Sequence, residues 1–409
     1  MNTLRKLKIS RRFAPLLGIA ALAALAGCQT TSPEIRRAIA MYDIGAYPTS
    51  ADILRAQAQK KNEDFVLNNC RYGSAALAAG RLDDAENAFL AAYEVINGVN
   101  TNDGGRTLGA AIVAENMKVW KGEPFERAMA HYYLGLIYLI RNDPENAQAA
   151  FRNSLFKLRA YAGDNPKPDQ YQQIESNFAL GYFGLGVCYL RLHRTDLAEQ
   201  NFALAERLQP GLAGVIAEVK RPTTNVLIFV DGGIGPQRAP KGMDNSQSAF
   251  GPTPREAGGI PQIVAYADGH PVSGNTLYSM VDTLAMAQDQ KWQDIDTIRT
   301  TKAVLGTGLM AGGAGVAAYG ANRHDTGTAL AGVGAMAVGA LLAASSQADL
   351  RYWEMLPRTV YVIPASLPPG KHTFQVAAGG SSCVPFEVEV RPPGTGPGQG
   401  DTVLYIRLR

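Results

Sequence analysis

At 409 residues and 43.7 kDa, with 46% apolar and 18% charged positions, the chain can bury two or three cores, which excludes wholesale disorder and a small disulfide scaffold. The formal charge of +3 rests on Arg5, Lys6, Lys8, Arg11 and Arg12; without these five, 34 basic residues face 36 acidic ones. That balance lacks the electrostatic footprint of a nucleic-acid-binding surface, so no nucleic-acid partner is expected. First in chain order come the cationic run 1–12 and the apolar stretch 13–26, too short to span a bilayer comfortably and shaped like a secretory signal.

Leu25-Ala26-Gly27-Cys28 follows. It resembles the bacterial lipobox, in which small residues admit the signal peptidase and the cysteine is acylated. The resemblance implies that Cys28 is the mature N-terminus and carries covalent lipid, with no other cofactor. Two or three acyl chains hold a protein on a membrane stably, whereas one is marginal. In enteric-type sorting an aspartate after the cysteine retains a lipoprotein at the inner membrane; Gln29 stands there, which implies the periplasmic face of the outer membrane. Cys70, Cys188 and Cys383 remain, without metal-ligand spacing, and Cys70 and Cys188 sit in apolar helical patterns as small buried hydrophobes.

After a linker or helix over 28–61, the text repeats itself over 62–215. Gly73, Gly80, Ala85, Phe89 and Ala92 have the same offsets as Gly135, Asn142, Ala147, Phe151 and Ser154, and as Gly186, His193, Ala198, Phe202 and Ala205. This spacing resembles the tetratricopeptide repeat, in which a small residue on helix A admits an aromatic from helix B. The resemblance implies an α-solenoid whose helix A positions line a partner groove: Met129, Tyr132, Leu136, Leu139 and Ile140 in the second unit, and Leu180, Phe183, Val187, Leu190 and Arg191 in the third. Nearly all are apolar, and the Lys, Arg and Asn of a carboxylate clamp are missing. Such a groove either takes an apolar ligand or is filled by the protein's own segments.

Trp120-Lys121-Gly122-Glu123-Pro124-Phe125-Glu126-Arg127 and His131-Tyr132-Tyr133-Leu134-Gly135-Leu136 form a second kind of signal, with Leu350-Arg351-Tyr352-Trp353-Glu354-Met355-Leu356-Pro357 and Leu367-Pro368-Pro369-Gly370-Lys371-His372 further on. Together they are similar to a family of poorly characterised bacterial lipoproteins with tetratricopeptide-like repeats, which implies location and architecture but brings no reaction. Glu123, Arg127 and His131 share a helix face, open to reading as an acid/base cluster with Glu126 or as a helix N-terminus with acids in its first turn.

Beyond residue 215, runs at 226–230, 263–267, 359–363, 372–376, 386–390 and 403–408 are rich in branched and aromatic residues. Phe386, Val388 and Val390 alternate with Glu387 and Glu389, as in a strand with one wet face. These runs predict a small antiparallel β domain in two parts, 216–290 and 351–409, with a long Gly/Pro/Ser-rich loop over 232–259. Asp231-Gly232-Gly233 reads as a turn, because no helix, Lys or Ser/Thr completes a phosphate loop.

Within this β text, 291–350 holds two uncharged runs, 303–320 and 328–346, which read as a helical hairpin with ten glycines between 303 and 346. Glycine costs a helix about 1 kcal/mol each, so close backbone approach is expected, through Gly308, Gly312, Gly315 and Gly339. The hairpin has three open fates: membrane insertion, packing against a sister protomer, or burial in its own β domain. No Gly-x-Ser-x-Gly, His-Glu-x-x-His or Walker signature is present. The expectation is therefore an α+β, outer-membrane-anchored lipoprotein that binds an envelope protein or peptide and is not an enzyme. The competing classes are an enzyme of wall or surface-polysaccharide metabolism and a homo-oligomer built on the hairpin.

Overall fold

The structure, a computed structural model, describes residues 31–97, 119–159, 178–241, 247–253, 263–272, 278–288, 309–323, 325–345, 349–378, 381–392 and 401–408. The segment read as a secretory signal, Cys28 and Gly308 lie outside the described residues. The chain mixes helices with small sheets. It forms two compact units: one combines 33–238, 250–292 and 351–409, and the other contains the glycine-rich hairpin.

The larger unit opens with α1 (Pro33–Asp43), α2 (Tyr47–Ala58), α3 (Phe65–Ala78), α4 (Leu82–Asn97), α5 (Pro124–Ile140), α6 (Pro144–Arg159), α7 (Ala179–Arg191) and α8 (Thr195–Leu208). Each packs on the one before it. Three tight turns, α3–α4, α5–α6 and α7–α8, share one geometry. Gly80, Asn142 and His193 are left-handed, at φ 73°, 60° and 57°, residue types that tolerate such a φ. The amide after each donates to the carbonyl five residues back: Arg81 to Ala76, Asp143 to Tyr138 and Arg194 to Tyr189.

The repeated glycines have one physical cause. A Cβ on Gly73 would lie 2.8 Å from the Phe89 ring, one on Gly135 2.8 Å from Phe151, and one on Gly186 2.4 Å from Phe202. Each ring therefore occupies the space a side chain would need, and all three are buried. Gly184 meets the Phe151 ring as well, which joins the second pair to the third. The helix pair α1–α2 extends this array over residues that the repeat pattern leaves out; there the Ser50 hydroxyl donates to the Ala38 carbonyl.

After a short 3₁₀ turn (Pro210–Leu212) and α9 (Ala213–Val219), the strands begin: β1 (Val226–Gly232), β2 (Gln237–Lys241), β3 (Gln247–Gly251), β4 (Ile263–Ala267), β5 (His270–Pro271) and β6 (Tyr278–Asp282). The short helix α10 (Thr283–Gln288) follows β6, and after the hairpin come β7 (Thr359–Ala365), β8 (Gly370–Ala378), β9 (Ser381–Ser382), β10 (Phe386–Val390) and β11 (Thr402–Leu408). One sheet has the order β11-β1-β7-β6 and the other β10-β8-β4-β5, with β9 on β8. The expected antiparallel sheet is corrected at one pair: β1 and β11 run parallel, Val226 opposite Thr402. The chain reaches β11 from β10 of the other sheet, so no hairpin dictates its direction. The loop expected over 232–259 contains β2 and β3, paired as a ribbon that has no β-branched residue to announce it.

The first sheet is covered on both faces. Val226, Ile228, Val230, Tyr361, Ile363 and Ile406 pack with Ile263, Phe374 and Val376 of the second sheet. Leu227, Phe229, Val360, Val362 and Val403 point the other way, into the helical core. That is why β1 and β7 are buried along their whole length, with apolar runs at 226–230 and 360–363 rather than an alternation. The second sheet has one wet face, as the alternation in β10 predicts.

In the smaller unit a helix over 309–322, α11, turns through Arg323 into α12 (Thr326–Ser345). The Asp325 carboxylate caps α12 by accepting from the amides of Gly327 and Thr328. The contact glycines differ from the expected ones. A Cβ on Gly332 would lie 2.2 Å from the Ala317 nitrogen, one on Gly320 2.3 Å from the Ala329 nitrogen and one on Gly313 2.7 Å from the Gly332 carbonyl oxygen. Gly312 and Gly315 have nothing within 4 Å. Positions 313, 317 and 320 share one face of α11, and 312 and 315 lie off it; the sequence shows the small residues but not which row meets the partner. Gly339 lies within α12. Among the described residues no helix is long and apolar enough to cross a membrane. Seven alanines and four glycines make up over half of the 20 residues of α12, and both contribute little transfer free energy.

Candidate functional site

The helix A positions read as a partner groove are interior, except for the partly buried Ile140. Met129, Tyr132, Leu136, Phe183 and Val187 have no exposed surface, and Leu139 and Leu190 expose 1% and 6%. The helical core that contains them includes Leu227, Phe229, Val360 and Val403, so among the described residues these positions pack with the protein's own first sheet rather than line an open groove. Arg191, the charged member of the set, is buried too. Its guanidinium donates to the carbonyls of Leu139 and Asp401, tying α7 to the start of β11.

Two motifs 230 residues apart in sequence meet in this core. The Trp120 indole donates to the Arg351 carbonyl at 3.2 Å, and the Trp353 indole to the Ser74 hydroxyl at 3.1 Å. Arg71 grips Glu354 bidentately at 2.8 and 2.5 Å. Glu126 accepts from its own capping-box partner, the Glu123 amide, and from the Trp353 amide, both at 2.7 Å. Burial pushes its carboxyl up to about 8, with those amides opposing. Glu123 itself pairs with Arg238 at 2.8 Å. Burial lowers Arg127 to about 10, and the buried His131 ring meets Tyr93 edge-on at 4.9 Å. These residues serve a helix start and an interior seam. They do not converge on an open cleft.

A second polar cluster went unseen in the sequence, because Asp231 reads there as turn chemistry. Asp231 is the penultimate residue of β1 and lies inside the protein, where its Oδ2 accepts from the Tyr133 hydroxyl at 2.5 Å and the Tyr405 hydroxyl at 2.9 Å. Burial pushes its carboxyl up to about 6, with Arg407 opposing. Arg407 donates to the carbonyls of Asp231 and Gly233 and to the Tyr42 hydroxyl, and lies over the Tyr42 ring at 5.7 Å. Burial works against the guanidinium charge, but Tyr42 and Asp231 outweigh it.

This cluster underlies a cavity of about 720 Å³, within the range of ligand pockets. The helical layer supplies one wall, including Ile44, Leu77 and Ala79, and the second sheet supplies the other, with Cys383, Val384 and Phe386. Between them Tyr405 to Leu408 of β11, the edge strand of the first sheet, line the cavity. Ile44 is 73% exposed and Val384 83%, so the rim is apolar and wet. Its charged lining residues are Asp43 and Arg407. The Cys383 thiol accepts from the Val376 amide at 3.0 Å and burial pushes it up, which suits a packed thiol rather than a nucleophile. Among the described residues no group of three His, Cys, Asp or Glu side chains could hold a metal ion. Compared with known proteins, the chain matches no family model and no curated relative.

Proposed function

We propose that this protein is a lipoprotein of the bacterial outer membrane, anchored at the periplasmic face through Cys28, that binds another envelope protein at the cavity along β11. The cavity carries this reading, because it is an apolar-rimmed concavity, whereas the helix A positions are packed in a core shared with the first sheet. The helix pairs are tetratricopeptide-like in this reading, which their shared left-handed turns and repeated Gly–Phe contacts support. An enzyme of wall metabolism would need acids converging in a cleft, whereas Glu126, Asp231 and Asp401 are each buried in separate seams.

The test is crosslinking of the full-length protein in envelopes, followed by identification of what is bound. The expected result is a discrete partner lost in Val384→Asp, with fractionation and melting temperature unchanged. A partner profile indifferent to that substitution sinks the reading. Cys28→Ser should block maturation, and a mature chain exported on a non-lipid signal should leave the membrane fraction. A second reading, self-association through the hairpin, rests on exposed Leu309, Val316, Tyr319, Leu330 and Val338. Crosslinked oligomers that survive Val384→Asp would favour it.

A further inference from the structure

The first sheet lies between the helical layer and the second sheet, and at its β11 edge both of those layers extend past it to wall the cavity. The middle layer is one strand short. The hydrogen-bond pattern of β11 shows which groups are left over. The Thr402 amide donates to the Asn225 carbonyl, and the Leu408 carbonyl accepts from Gly233, so residues 402, 404, 406 and 408 turn their backbone groups toward β1. Residues 403, 405 and 407 turn theirs to the open edge. There the Arg407 carbonyl accepts from the Tyr47 hydroxyl at 3.0 Å. Among the described residues the Tyr405 amide, the Tyr405 carbonyl and the Arg407 amide have no partner. Unpaired strand groups facing a walled space form a template for main-chain pairing.

Resting on the binding reading above, we propose that the cavity takes an extended segment of a partner protein, four or five residues long and apolar on both faces, which adds to β11 as the missing strand. Alternate side chains of such a segment would face Ile44 and Leu77 on one side and Val384 and Phe386 on the other. Both walls are mainly apolar, with Asp43 the charged residue of the helical one, so the segment resembles a buried central strand. A second copy of this chain does not fit the slot: Ile406, Arg407 and Leu408 are at most 5% exposed although they belong to an edge strand, so the edge is recessed and two recessed edges cannot meet. The Tyr47 hydroxyl acts as a placeholder on the acceptor at the end of the slot.

The experiment selects a phage-displayed library of random linear ten-residue peptides on the full-length protein in detergent. One enriched peptide is then synthesised with and without N-methylation of alternate residues. Enrichment of continuous apolar runs is expected, with slowed hydrogen exchange at the Tyr405 and Arg407 amides on binding. N-methylation on the pairing edge should weaken binding about tenfold or more, since those N–H groups carry the pairing. Val384→Asp should weaken it about tenfold by setting a charge against the apolar segment. Tyr47→Phe should tighten it about fivefold by freeing the Arg407 carbonyl, a gain that a merely structural tyrosine would not produce. Melting curves of both variants show that they fold. No enriched sequence, unchanged exchange at Tyr405 and Arg407, or equal binding of the N-methylated peptide would overturn the proposal, as would a dimer that dissociates in Val384→Asp. Loss of the envelope partner in Val384→Asp together with indifference to N-methylation would overturn strand addition alone and leave the binding reading standing.

Discussion

The helix pairs and the hairpin both spend glycine inside helices, for different reasons. In the pairs a glycine faces an aromatic ring: Gly73 meets Phe89, Gly135 meets Phe151 and Gly186 meets Phe202. In the hairpin a glycine faces backbone: Gly332 meets the Ala317 nitrogen, and Gly320 meets that of Ala329. The first arrangement exchanges a small side chain for a large buried ring and gains apolar burial. The second brings two backbones together and gains mainly dispersion, leaving Leu330 and Val338 exposed at 69% and 51%. Glycine content by itself therefore says little about stability; what stands opposite the glycine decides it.

The largest expected effect falls on the pairs. Phe151 fills the space opposite both Gly135 and Gly184, so Phe151→Ala should cost about 3–5 kcal/mol, measured by denaturant unfolding. A loss under about 1 kcal/mol would mean that the ring contacts are incidental.

Buried acids come next. Glu126 is raised to about 8 from an ordinary 4.5, so its protonated form is favoured in the folded state. That contribution is fully present below about pH 4.5 and lost as pH rises through 8. Asp231 and Asp401, each raised to about 6 by burial, act in the same direction between about pH 4 and 6. Glu126→Gln should therefore flatten the decline in stability from pH 6 to 8, a difference on the order of 2 kcal/mol in pH-dependent unfolding. Parallel profiles for the two proteins would show that Glu126 stays ionised at its two amides.

In the hairpin, Gly332→Leu should force α11 and α12 apart and expose the 309–345 region to protease, while Gly312→Leu, with open space around its Cβ, should leave cleavage unchanged. Equal sensitivity would contradict the backbone contacts. The smallest effect is local to a turn: Asp143 accepts from the Asn146 amide at the start of α6, so Asp143→Ala should cost about 1 kcal/mol.

Much of the local structure was legible in the residues. The offsets Gly73/Phe89, Gly135/Phe151 and Gly186/Phe202 mark the same contact three times, and Gly80, Asn142 and His193 stand where the backbone must turn left-handed. Branched residues made β1, β4, β7, β8, β10 and β11 legible but not β2, β3, β5, β6 or β9, and both hairpin helices were legible from their uncharged length. These features depend on neighbours within a turn or two of helix or along one strand, where side-chain periodicity and φ preference act directly. Only the tertiary structure decided that the helical core is shared with the first sheet, that β11 runs parallel to β1, that Trp120 and Glu126 clasp the segment around Trp353, and which row of hairpin glycines meets its partner. The cavity belongs to this second class. It is walled by residues 43–45 and 47, 77–80, 382–384 and 386 around the edge of β11, segments whose approach depends on layers closing over a sheet. An apolar run states that it will be buried, but not against what, because the hydrophobic effect has no direction and the partner is chosen by the packing of the whole chain.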